Sequence, residues 1–329
     1  MIQLRACDIH IVLFHKKKKG GFFIMIVYRE FSSLVRDLGF SGKTLYSVTN
    51  HIHRHYRAVT IPKRDGETRE LHVPDALLMA IQRRINTVLL SSEPISRYAT
   101  AYRPGGSTRR NASPHTNKAV VLKLDIRHFF DRLIYPLVKE RAFPAARYSE
   151  QNRVLLSLLC IYRDVLPQGA PTSPTISNII MREFDDKVGA WCAAQGIAYT
   201  RYCDDMTFSG DFDPAPVKRF VKDELGKLGL YLNGKKTVVV RRGQRQTVTG
   251  LVVNEQARVP AAYRARIRQE MYYCQKHGIA AHLAAIGSTE TPEAFARALL
   301  GRINYVLSVE PQNEPMKHYR AWLLQNTQL

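Results

Sequence analysis

Acidic residues are scarce in this chain, and the scarcities define it before any motif does. Aspartate and glutamate number 28 against 49 lysines and arginines in 329 residues, a formal surplus of +21. A surplus of that size points to a polyanionic partner, with nucleic acid ahead of a membrane surface. Long apolar runs are missing: the longest, residues 22–28, falls far short of the roughly 20 residues that a spanning helix needs, so no membrane partner is expected. Cysteine is sparse as well. The five present are an odd number without a CxxC pair, which excludes a disulfide framework and a thiolate zinc site and fits a reducing cytoplasm. No cleavage motif follows an apolar core near the start, so a secretory signal is excluded. What remains is a 45% hydrophobic chain, long enough for two or three domains around a sizeable core.

Residues 1–24 stand apart, because "HKKKKGGFFI" shows neither helical nor strand periodicity. Two readings stay open. Lys-Gly-Gly translates a purine-rich tract like a ribosome-binding site a few codons before Met25, which makes 1–24 a non-native extension. Alternatively it is a disordered basic arm that binds nucleic acid. From Met25 a mixed helical pattern runs to about residue 59, and "IPKRDGETRELHVP" then reads as a hairpin about Asp65-Gly66, with Lys63, Arg64 and Arg69 on its rim. Leu77, Leu78, Ile81, Ile85 and Leu89 mark a helix over 75–90, and a polar loop continues to about Asn117.

"AVVLKLDIRHFFDRL" reads as a buried strand that ends at Asp125 and turns into a helix holding Phe129 and Phe130. Asp125 is either a helix cap or a site residue at a strand end. "LPQGAPTSPTISN" is a Gly/Pro loop, without a phosphate-loop ending, that leads into helical Ile176, Ile179, Ile180, Phe184 and Val188. From residue 254 the pattern is helical. Tyr263, Ile267, Met271 and Cys274 form one stripe, with Arg264, Arg266, Arg268 and Lys276 around it, a basic face suited to a nucleic-acid backbone. A second helix starts at Thr291-Pro292 and buries Phe295, Leu299, Ile303 and Val306.

The most informative stretch is "TRYCDDMTFSG", residues 200–210, which sets Asp204 and Asp205 side by side in an apolar, hairpin-like run. Two like charges there repel, and a divalent cation with a taste for hard oxygen ligands relieves them; magnesium suits. Asp185-Asp186 is the internal control, an aspartate pair read as the solvated face of a helix. With Asp125 as the third acid and no His or Cys ligand nearby, the set suits two-metal nucleotidyl transfer.

Taken together these residues resemble reverse transcriptases, over about 61–311. "LKLDIRHFF" is similar to the family's first catalytic strand, "LPQGAPTSPTISN" to its template and nucleotide loop, "YCDD" to its metal-binding hairpin and "GLYLNGKKT" to the lysine-bearing segment that follows. "NASPH", residues 111–115, resembles the NAxxH element and "VTG", residues 248–250, the VTG element of bacterial retron reverse transcriptases. Cys203 departs from the family's usual alanine, which alters packing and leaves the chemistry intact.

The resemblance implies an α+β right-hand polymerase: fingers and palm over 25–253, with an antiparallel sheet plus helices, and a helical thumb over 254–329. It implies that Asp125, Asp204 and Asp205, with the Ile126 carbonyl, hold two Mg2+ ions. Lys236 is the implied acid for the pyrophosphate leaving group, with Lys235 as substitute. Lys63 and Arg69 would hold the triphosphate, Gln168 and Gly169 would lie beside the nascent base pair, and Phe130 or Phe129 would exclude a 2′-hydroxyl. Asn111, His115, Val248, Thr249 and Gly250, with Arg264 and Arg268 of the thumb, would bind RNA. The implied partners are dNTPs, a cognate noncoding RNA that is template and primer, an RNA–DNA hybrid product, host ribonuclease H and a separate effector protein in phage defence. The short tail after Pro311 is expected to hold no nuclease domain of its own. Rival readings are another bacterial reverse transcriptase class, which does not predict both "NASPH" and "VTG", and a non-catalytic RNA-binding scaffold, which predicts loss of the acids.

Overall fold

Antiparallel sheets and helices build an α+β fold, and the computed structural model describes residues 2–6, 9–15, 22–62 and 66–327. At the N-terminus β1 (Ile2–Ala6), β2 (Ile9–His15) and β3 (Phe22–Val27) pair as an antiparallel meander. Of the stretch "HKKKKGGFFI", residues 16–21 lie outside the described residues, while His15 and Phe22 to Ile24 belong to strands. Runs rich in Ile, Val and Phe flank the lysine tract, and their β-propensity does not require strict alternation. Helices α1 (Phe31–Leu38) and α2 (Gly42–Asn50) follow.

Strands β4 (Tyr56–Pro62) and β5 (Thr68–Pro74) form the anticipated hairpin, with Ile61 opposite Arg69. Lys63, Arg64 and Asp65 at its tip, and with them the Asp65-Gly66 turn reading, lie outside the described residues. Helix α3 (Ala76–Ile85) is capped by Asp75, which accepts the Leu78 amide, and continues as a π-helical turn over Asn86–Leu90. It buries Leu78, Ile81, Ile85 and Leu89, whereas Leu77 is 39% exposed, one position off the i, i+3, i+7 stripe. Within the loop expected to reach Asn117, Ser107 caps a short helix, α4 (Thr108–Ala112), by accepting the Arg110 amide.

The central strand β6 (Val120–Asp125) is buried on both faces, with Val121, Leu122 and Leu124 closed off from solvent. It is followed by a single 3-10 turn, Phe130–Arg132, and not by the helix expected to contain Phe129 and Phe130; α5 (Tyr135–Ala142) begins after that turn. Beside it lie α6 (Glu150–Cys160), α7 (Ser173–Ile180) and α8 (Arg182–Ala194), and the last two bury Ile176, Ile179, Ile180, Phe184 and Val188 as the pattern predicts. Strands β7 (Ala198–Tyr202) and β8 (Asp205–Gly210), helix α9 (Pro214–Gly226) and β9 (Val238–Arg241) complete an antiparallel sheet of order β7-β8-β6-β9. Its large apolar cluster draws on α1 to α3 and α5 to α9.

A tight hairpin of β10 (Thr247–Val248) and β11 (Leu251–Val252) leads into α10 (Ala261–His277), α11 (Ile279–Ala285), α12 (Pro292–Val309) and α13 (Glu314–Asn326). The predicted stripes face inward: Ile267, Met271 and Cys274 on α10, and Phe295, Leu299, Ile303 and Val306 on α12, whose Thr291 cap accepts the Ala294 amide. Burying each such large side chain contributes about 1.5–3 kcal/mol. Val248, Leu251 and Val253 belong to this second cluster, as do Ala112 of α4 and Val121 of β6. No helix among the described residues is long and apolar enough to cross a membrane.

Candidate active site

The register of two strand pairs gathers the three acids. Asp125, last in β6, lies opposite Asp205, first in β8. The β7–β8 hairpin closes at Tyr202 opposite Asp205, which leaves Cys203 and Asp204 as a two-residue turn. Cys203 has φ +61°, the left-handed first position of a II′ turn, which matches the right-handed twist of the flanking strands. The Ile126 amide donates to the Asp204 carbonyl at 3.1 Å, so the turn is tied to the end of β6. Of the adjacent pair, Asp204 is in the turn and Asp205 opens a strand.

Asp125 is not a helix cap. Its Oδ1 accepts from Asn233 Nδ2 and its Oδ2 from Lys236 Nζ, each at 3.0 Å, and both partners come from the segment that crosses beside β6. The carboxylate is almost buried while Lys236 keeps most of its side chain in solvent. The bond to Asp125, then the charges of the other two acids, raise the Lys236 pKa. Desolvation and then Asp125 raise that of Asp204. Asp205 is pushed up to about 6 by desolvation, then by Asp204 and Asp125. Two nearby lysines, Lys236 and Lys123, still leave the acids under mutual repulsion.

The donors brought together here are the carboxylates of Asp125, Asp204 and Asp205, hard oxygen ligands, and burial pushes the neighbouring Cys203 thiol up to about 12. Carboxylates in this electrostatic state fit magnesium. Among the described residues no three His, Cys, Asp or Glu side chains close into a metal cage, and both Asp125 oxygens are engaged by Lys236 and Asn233.

Beneath the turn lies a group that sequence reasoning missed. Arg201, fully buried, donates from Nε to Asp185 Oδ1 at 2.8 Å, from Nη2 to Asp185 Oδ2 at 2.6 Å and from Nη1 to the Cys203 carbonyl at 2.8 Å. Asn178 of α7 accepts from Nη2 at 3.1 Å, and the Tyr199 hydroxyl donates to Asp185 at 2.8 Å. The reading of Asp185-Asp186 as a solvated pair is thus corrected: Asp185 is 0% exposed, and only Asp186, which accepts from the Ser96 hydroxyl, lies at the surface. An arginine in an otherwise apolar strand run was the available signal, since a buried charge requires a partner.

The other expected site residues divide. Phe129 is in the core and Phe130 is half-buried against it, which separates two positions that sequence left equal. The Gln168 carbonyl accepts from the His72 amide of β5 at 2.8 Å. Gly169 has φ +118°, and a Cβ there would stand 2.9 Å from the His72 carbonyl, so both conformation and space call for glycine. Arg69 is exposed on β5, Lys235 is exposed beside Lys236, and Lys63 lies outside the described residues.

Asn111, His115 and Val248, expected to bind RNA, are 1%, 0% and 0% exposed in this structure. Thr249 is half-buried, Gly250 and Arg268 are exposed, and Arg264 is paired with Glu310 at 3.3 Å.

Comparison with known proteins matches residues 61–259 to the family model described as reverse transcriptase (RNA-dependent DNA polymerase). The chain is 34% identical over 282 residues to the retron Mx65 reverse transcriptase of Myxococcus xanthus, covering 79% of this chain and 62% of that protein. It is 30% identical over 208 residues to the retron Ec86 reverse transcriptase of Escherichia coli, covering 61% and 64%. With the retron Ec83 reverse transcriptase of Escherichia coli it shares 35% identity over 196 residues, covering 57% and 59%. The chain thus spans about six tenths of the length of these relatives.

Proposed function

The chain belongs to the reverse transcriptase family and is similar to its retron members, and from that membership we propose that it copies a structured noncoding RNA of its own locus into DNA. In this reading a guanosine 2′-hydroxyl of that RNA primes synthesis, and the product is a branched RNA–DNA molecule. The observation that supports it most is the meeting of Asp125, Asp204 and Asp205 at one end of the sheet, with Lys236 on Asp125.

Asp125, Asp204, Asp205 and the Ile126 carbonyl are the donors that would hold two Mg2+ ions. Bound there, magnesium supplies Lewis-acid activation of the attacking hydroxyl and of the departing phosphate. Lys236, whose Nζ lies 3.0 Å from Asp125 Oδ2, is the group that delivers a proton toward pyrophosphate. Phe130, the half-buried ring of the pair, stands as the barrier to a 2′-hydroxyl on the incoming dNTP. Lys63 and Arg69 orient the triphosphate, and Gln168 with Gly169 brings backbone against the nascent pair. Arg268 and the exposed face of α10 contact the RNA–DNA backbone. Template removal by host ribonuclease H, and phage defence with a separate effector protein, complete the reading.

The test is to express the native locus, digest total nucleic acid with ribonuclease, and examine it on a denaturing gel. A discrete small DNA that shifts on debranching, and is absent in Asp204→Ala, is the expected result. A linear product from polymerase active on a supplied primer and template would remove the branched, RNA-primed part of the proposal.

A further inference from the structure

The two elements that single out retron relatives, 111–115 and 248–250, lie against each other, and the segment 107–115 is bonded on two sides. On one side the buried His115 ring joins both strands of the acid-bearing hairpin: Nδ1 is 2.7 Å from Ser209 Oγ on β8, and Nε2 is 2.8 Å from Thr200 Oγ1 on β7. Burial pushes its pKa down to about 3, so the ring is neutral and its two nitrogens, one donor and one acceptor, are both served by hydroxyls. Asn111 Oδ1 accepts from the Thr100 hydroxyl at 2.6 Å, and the Thr100 amide donates to the carbonyl of Arg201 at 2.8 Å.

On the other side the same segment grips the helical C-terminal unit. Ala112 is buried in that unit's apolar cluster with Val248, Leu251, Ile267 and Ile303. Asn111 Nδ2 reaches Thr249 Oγ1, and Thr249 Oγ1 reaches the Thr108 carbonyl, both at 3.4 Å. Nearby, Asn117 donates its amide to the Val253 carbonyl at 3.0 Å, and Lys123 of β6 donates to Thr247 Oγ1 at 3.2 Å.

The backbone at Thr249 decides what the threonine is for. Thr249 and Gly250 are the two central residues of the β10–β11 turn, with φ +45° and +82°, the I′ pattern. Asn-Gly or Gly-Gly makes that turn at no steric cost, whereas a β-branched residue there is a strained outlier. Threonine therefore weakens its own hairpin locally. What it provides in exchange is a hydroxyl aimed at Asn111 and α4.

We infer that Asn111, His115 and Thr249 form a clasp that registers the thumb on the catalytic hairpin, so that they are positioning residues for DNA synthesis and do not read RNA. The inference rests on the polymerase reading above. A thumb that holds the primer–template and a hairpin that carries Asp204 must keep a constant relation through successive additions. A slack clasp releases the primer end between them.

The experiment uses the full-length protein, a DNA primer on an RNA template unrelated to the locus, and the locus RNA in parallel, with a trap that limits extension to one encounter. The central variant is Thr249→Gly, which keeps the turn and removes the hydroxyl. It is expected to melt no lower than wild type, to add about tenfold fewer nucleotides per encounter on both templates, and to be rescued in Thr249→Ser. His115→Gln should show the same deficit. If the variants extend the unrelated primer normally and fail only on the locus RNA, the two elements read RNA and the clasp is wrong. It is equally wrong if Thr249→Gly matches wild type on both. Absence of extension by the wild type on either template would overturn the polymerase reading and the clasp with it.

Discussion

Two adjacent aspartate pairs, Asp204-Asp205 and Asp185-Asp186, sit in this chain within twenty residues of each other, and they are used in opposite ways. Asp204 and Asp205 stand at the open end of a sheet, pushed toward protonation by desolvation and by each other. Asp185 is sealed from solvent and clasped by Arg201, while Asp186 faces outward. The first pair carries negative charge that its neighbouring lysines only partly relieve. The second contributes one carboxylate to neutralise a buried guanidinium. They are also mechanically joined, because the Arg201 that Asp185 orients holds the carbonyl of Cys203 in the turn that presents Asp204. The comparison teaches that a dipeptide carries no role by itself; the charge standing opposite it does.

The comparison can be broken at several points, taken from the largest effect down. Asp204→Ala removes a proposed metal donor, worth several kcal/mol at the transition state, and at 1.36 kcal/mol per decade it should lower nucleotide incorporation by about 10^3-fold or more. Its thermal midpoint should hold or rise, since a repelled carboxylate is lost. Steady-state incorporation and a melting curve check both halves.

Asp185→Ala should do the reverse. An uncompensated buried guanidinium costs about 3–5 kcal/mol, to be read by denaturant unfolding. Replacing Arg201 and Asp185 together by Met and Leu should recover much of that stability and still lower incorporation, because the Cys203 carbonyl has lost its donor.

The third break is in pH. The folded-state pKa of Asp205 is about 6 against an ordinary 3.8, so the folded protein binds this proton more tightly than the unfolded chain. The contribution is therefore fully present below about 3.8 and is lost as pH rises through about 6. Asp205→Asn should flatten that decline in the metal-free protein, and magnesium should offset it in the wild type, both followed by thermal midpoint against pH. Smallest is Asp186→Ala, which removes one surface hydrogen bond to Ser96 and should cost no more than about 1 kcal/mol in the same unfolding measurement.

Much of the fold was legible along the chain. Val120–Asp125 and the YCDD hairpin are apolar strands that end in acids, and the α10 and α12 stripes follow helical spacing, so local pattern alone places them. The candidate site was legible to the same degree, because its three acids lie at strand ends whose order is that of a known family. Short or mixed segments were not. The five-residue helix α4 sits in a loop rich in Gly, Ser and Asn, where a Ser107 cap is the one local cue. Strands β2 and β3 lack strict alternation, and Phe129 and Phe130, adjacent in sequence, differ in burial where the chain makes one 3-10 turn.

By itself the sequence determined the polyanion-seeking charge, the sheet-and-helix elements, the three carboxylates and the family to which they belong, because each depends on residue type and short-range spacing. Tertiary structure alone decided which aspartate is buried and which is presented, that Arg201 finds Asp185, that Lys236 rests on Asp125, that Asn111 meets Thr249, and that Asn111, His115 and Val248 are buried. Those outcomes turn on partners tens to more than a hundred residues apart. Whether a charge or an amide is buried is set by what the fold brings against it, and no local pattern carries that information.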